Sequence, residues 1–255
     1  MEGQQQQSLS LLARAAALAP QRADLAWLQI QICLKLTACD PEPLGERLRT
    51  LDPSNGAGWF GLLARASLSG DQHSEEAALL AISATDRVDI YWTTLISRLT
   101  SAAARVGVMS IQEAELSVIG LLSAQDIPTF RVISDACVRG HPTLDEEIQM
   151  CRGIARAMER GDTYITEMIG IAIARSAWPE TSPDWKAAAH ARSVYEYRSE
   201  LLQHLEVHQP WDRRVAEHYL ALCSRYSREQ DVVRARLIAA GKKADPPITR
   251  QPPPQ

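Results

Sequence analysis

Three landmarks divide the first hundred residues at a fixed step. Ala19-Pro20-Gln21, Asp52-Pro53-Ser54 and Thr85-Asp86-Arg87 place Pro20, Pro53 and Asp86 33 residues apart. Six or seven residues after each landmark stands a tryptophan: Trp27, Trp59 and Trp92. An aliphatic follows each of them three residues later, as Ile30, Leu62 and Leu95. Leu48-Arg49-Thr50-Leu51 precedes the second landmark and Ala81-Ile82-Ser83-Ala84 the third. Several features aligned at one period of this length mark an internal repeat. The unit is a pair of helices. The tryptophan and the aliphatic one turn later form the inner face of the first helix, the apolar residues before the landmark close the second, and proline or aspartate starts the next unit. One hairpin leaves a face bare, and stacking on its neighbour covers it.

On these residues the segment from about 8 to 104 resembles the tetratricopeptide family, whose repeats place a bulky aromatic, an aliphatic and a helix-ending proline at these offsets. Where the family has a small residue beside the aliphatic, Gln31, Leu63 and Ile96 stand here. The segment from Leu48 to Tyr91 also resembles a set of Gram-negative bacterial proteins that lend it no activity. The resemblance implies an all-α solenoid whose concave groove receives a polypeptide. Carried onto the matching turns, the groove positions are Asp24, Gln31 and Lys35, then Phe60, Ala64 and Ser67, then Thr93, Ser97 and Thr100. Phe60 is the large aromatic on that strip and its expected hot spot. Trp59 is expected between its own hairpin and the preceding one.

After about residue 105 the period is lost but helix signals continue. Ser110-Ile111-Gln112-Glu113 and Thr143-Leu144-Asp145-Glu146 read as capping boxes, each opening a helix. Gly161-Asp162 predicts a tight hairpin leading into an apolar helix over 163–178. Ser182-Pro183-Asp184 starts a long helix to about Val207, Pro210-Trp211-Asp212 starts another, and a last one covers about 229–240. The expected organisation is therefore repeats over 1–104, a helical bundle over 105–241, and a disordered proline-rich tail over 242–255.

Composition narrows the function. With two Phe among 255 residues and no run of alternating β-branched residues, strands are not expected. A net charge of -4 with interleaved signs argues against nucleic acid. No apolar run approaches the 18 or so residues of a membrane span, and Met1–Gln7 lacks the features of a secretory signal, so a cytoplasmic chain is expected, or a periplasmic or secreted one if a leader has been removed. The five cysteines, at irregular spacing, read as small buried residues, although Cys33 and Cys39 are close enough to bridge in an oxidising compartment. Glu200, His204 and His208 share a helical face and are the one arrangement with metal-ligand spacing, set against a solvated charged face. Asp145-Glu146-Glu147 suits a helix N-terminus, where carboxylates offset the dipole. No nucleophile elbow or phosphate loop is found. The expectation is a non-enzymatic protein-interaction scaffold or adaptor, or a bacterial inhibitor or immunity-type binder that blocks a partner, with no cofactor and no metal. The alternative is an enzyme or metal-binding domain centred on the 184–207 helix.

Overall fold

The computed structural model describes residues 2–124, 127–140, 142–208 and 210–246, with backbone alone for Glu2 and His208. Thirteen α-helices run through the described residues: α1 (Glu2–Leu18), α2 (Ala23–Cys33), α3 (Glu42–Leu51), α4 (Phe60–Ser69), α5 (Gln72–Ser83), α6 (Trp92–Arg105), α7 (Ile111–Ser123), α8 (Pro128–Ser134), α9 (Asp145–Glu159), α10 (Tyr164–Ala177), α11 (Pro183–His208), α12 (Arg213–Arg225) and α13 (Glu229–Ala239). A 3-10 turn over 56–59 leads into α4, and a π turn over 135–139 extends α8. One parallel bridge, Asn55 to Arg87, is the only β feature among the described residues. The fold is all-α.

Helix starts follow local chemistry. The Ser110 hydroxyl accepts from the Glu113 N–H at 3.3 Å while the Glu113 carboxylate accepts from the Ser110 N–H at 2.9 Å, closing a capping box on α7. Asp212 caps α12 through the Val215 N–H, and Ser182 caps α11 through the Trp185 N–H. The box expected at Thr143 moves one residue on: Glu147 receives the Leu144 N–H.

Trp27, Phe60 and Thr93 are three buried residues at a step of 33, with Ile30, Leu63 and Ile96 fully buried one turn later. Trp59 and Trp92 are only partly buried. The expected burial of Trp59 is thus corrected: the 3-10 turn before α4 hands the inner position to Phe60, and one residue rotates a helical side chain by about 100°. Trp59 instead lies under the Arg49 guanidinium, 4.1 Å from its ring centre.

The interhelical turns stack in a column held by buried polar side chains. Asn55 Oδ1 accepts the N–H groups of Ala57 and Asp89, and its amide donates to the Asp89 carbonyl. Gly56 N–H reaches the Arg87 carbonyl at 2.8 Å, and Val88 N–H reaches the Ala157 carbonyl of α9 at 3.1 Å. Asp162, in the α9–α10 turn, accepts the N–H groups of both Ile90 and Trp92 at 2.8 Å. Its own carbonyl accepts the Glu229 N–H, and the Glu229 carboxylate accepts the Tyr164 N–H at 2.7 Å. Between Ile90 and Trp92, Tyr91 adopts φ +60°, unusual for a bulky residue, which turns the N–H groups on either side of it onto one carboxylate. Its hydroxyl is held by Asp52 at 2.7 Å. Gly161 belongs to the same close approach, since a Cβ there would collide with the Val88 carbonyl.

One contiguous core runs from Ala26 to Val232 and crosses the boundary expected at 104/105, where α6 and α7 pack as a hairpin. Helix α5 packs against α9, α4 against α8, and α6 against α12. The later helices thereby fold back over the first three units. Residues 242–246 are not a free tail: Ala244 is buried, its carbonyl accepts from Arg198, and Asp245 pairs with Arg198 and Arg234. The rest of the proline-rich segment lies outside the described residues. Four of the five cysteines pair, Cys33 with Cys39 and Cys137 with Cys151, so the reading of all five as simple core residues holds only for the buried Cys223. No single helix among the described residues is long and apolar enough to cross a membrane.

Candidate functional site

The predicted groove strip is mostly interior. Phe60 is fully buried, with Trp27 edge-on at 5.9 Å and Phe130 edge-on at 5.6 Å between ring centres. Phe130 comes from α8, so the chain's own helix covers the face that the strip would offer to a partner. Asp24 is buried between Arg22 and Arg98. Thr93 donates to the Ser227 carbonyl at 3.0 Å, and Gln31, Ala64 and Thr100 are buried as well. Ser67 and Ser97 are partly exposed and Lys35 is exposed. Lys35 borders a separate shallow hollow beside the Cys33–Cys39 bridge, with Leu36, Pro41 and Leu68. The nine residues therefore form no continuous open strip: α8 packs on α4 and α12 packs on α6.

His204 and Glu200 lie on the exposed side of α11, and the His208 side chain lies outside the described set. Among the described residues no three His, Cys, Asp or Glu side chains come together in a way that could hold a metal.

What the structure does present is a cavity of about 630 Å³, in the size range of small-ligand and anchor-residue sites. The turn column builds it. Asp162 fixes the start of α6 and with it Trp92; the same turn starts α10 and supplies Tyr164, Ile165 and Met168; Glu229 enters at the start of α13. Leu122 of α7, Phe130 and Arg131 of α8, and Tyr195 of α11 complete the wall. Tyr164 and Tyr195 pack with ring centres 5.1 Å apart. Ile165 at the rim is exposed.

Within this largely apolar wall, polar groups stand ready. Trp92 Nε1 and the Tyr164 hydroxyl are buried with no hydrogen-bond partner among the described residues. A buried donor without an acceptor costs about 1–3 kcal/mol. Burial pushes the Glu229 carboxyl up to about 7, and Glu167 and Glu206 add to the effect. Burial also raises the Tyr164 and Tyr195 hydroxyls, so both stay protonated donors at neutral pH.

A second buried cluster is closed. Glu115 is fully buried with neither oxygen hydrogen-bonded, and desolvation pushes it up to about 7. Nearby, burial drives the Cys223 thiol up to about 12, which leaves no thiolate for nucleophilic work. Arg236 spans the rings of Trp211 and Tyr219 at 5.4 and 5.2 Å and pairs with Glu206 at 3.1 Å.

Sequence reasoning missed Tyr164, Tyr195, Met168 and Glu229. Thr163 and the run Ser227-Arg228-Glu229 were legible as helix starts, but nothing local says that the two starts face one another. No family model matches the chain, and no curated protein or solved structure matches it.

Proposed function

We propose that the protein is a non-enzymatic, tetratricopeptide-like helical-repeat scaffold that binds a polypeptide partner, and that the partner seats an anchor side chain in the cavity between α6, α8, α10 and α11. The observation that carries this reading is the cavity itself: a solvent-open, aromatic-walled hollow of about 630 Å³. Hot spots in protein interfaces are large side chains fitted into such desolvated pockets. The predicted strip of Gln31, Phe60, Ala64 and Thr100 does not serve this reading, because those side chains already support the core.

The two disulfides favour an oxidising compartment, periplasmic or extracellular, over the cytoplasm. The test is a displayed random-peptide selection against the full chain. Peptides enriched by the wild type should be lost by Met168→Trp, which fills the cavity, with the thermal melt unchanged. Enriched peptides that bind Met168→Trp normally would place the docking surface elsewhere.

A further inference from the structure

The cavity has an uneven charge. Glu229 Oε2 accepts the Tyr164 N–H at 2.7 Å, which leaves the other carboxylate oxygen as a single acceptor. Two acids act on Glu229, Glu167 of α10 and Glu206 of α11, the second of them paired with Arg236 at 3.1 Å. The cations of the neighbourhood are engaged elsewhere. Arg131 lines the wall, but its side chain is 81 % exposed and turns to Asp135. Arg198 holds the Ala244 carbonyl and Asp245; Arg228 donates to the carbonyls of Glu159 and Gly161; Arg192 pairs with Glu196 beside the Tyr195 ring. A buried carboxyl surrounded by acids and aromatic rings is complementary to a cation, since ring faces attract positive charge most strongly where water is excluded.

We infer that the anchor taken by this cavity is a lysine side chain of the partner, with Glu229 as its counter-ion and Trp92, Phe130, Tyr164 and Tyr195 around its aliphatic stem. This deepens the docking reading above and rests on it. One available carboxylate oxygen suits a compact ammonium, whereas the planar fork of arginine calls for two parallel acceptors. The apolar wall buries the four-carbon stem.

The experiment is a calorimetric titration of the full chain with Nα-acetyl-lysine amide and, in parallel, Nα-acetyl-norleucine amide, which shares the stem and lacks the charge. The lysine amide should bind at least about tenfold more tightly, a difference of about 1.4 kcal/mol. Its affinity should rise from about pH 6 to about pH 8 as the Glu229 carboxyl ionises, and fall with added salt. Glu229→Gln keeps an acceptor for the Tyr164 N–H and should erase the preference for lysine; Tyr195→Ala should weaken the lysine amide in the same way if Glu229→Gln fails to fold. Equal binding of the two amides overturns the lysine assignment but leaves the docking reading intact. Binding of the lysine amide that survives Met168→Trp overturns both, and no binding of it at about 10 mM overturns the lysine assignment.

Discussion

Phe60 has an aromatic neighbour on either side, Trp27 from the preceding unit and Phe130 from α8, and no contact with solvent. Phe60→Ala should therefore cost about 3–5 kcal/mol in denaturant unfolding, as for other large core truncations. Trp59→Ala should cost less than half as much, because that ring is partly exposed and its main partner is Arg49. The opposite order would mean that the inner register runs through Trp59. The step of 33 was legible, and it recurs in the burial of Trp27, Phe60 and Thr93. The register within it was not. Trp59 and Phe60 are adjacent large aromatics, and only the 3-10 turn before α4 decides which of them points inward.

At the level of elements, most helix starts could be read from caps, because a cap is local chemistry: Ser110 with Glu113, Ser182 before Pro183, Asp212 before α12. What caps cannot show is which elements meet. Asp162 reads as the cap of its own helix, yet its carboxylate serves Ile90 and Trp92, some seventy residues earlier, while Thr163 caps α10. The Cys137–Cys151 bridge is another such link, tying the π turn after α8 to α9 across 14 residues. A loop of that size contributes about 3 kcal/mol by chain entropy. Replacing both cysteines with serine should lower unfolding stability by about that amount, and reductant should lower the melting temperature of the wild type by more than that of the double variant, which keeps only Cys33–Cys39. A wild type indifferent to reductant would show that the bridge does not form in solution. Since α8 carries Phe130, the same variant should also loosen the cavity wall.

Across the whole molecule, the first three helical units and the later helices share one core, and the column of turns sets Trp92, Tyr164 and Glu229 around a single hollow. A sequence read as two successive parts hides this, because the wall residues come from six separate helices. The account therefore places the partner in that hollow rather than on the first-helix strip. The most direct measurement is the methyl spectrum of selectively labelled methionines, of which the chain has five. On titration with a peptide selected by the wild type, the Met168 methyl should shift strongly under the ring currents and contacts of the occupied cavity. Met158, fully buried in α9, should stay in place. A saturating peptide that leaves Met168 unmoved would contradict the account.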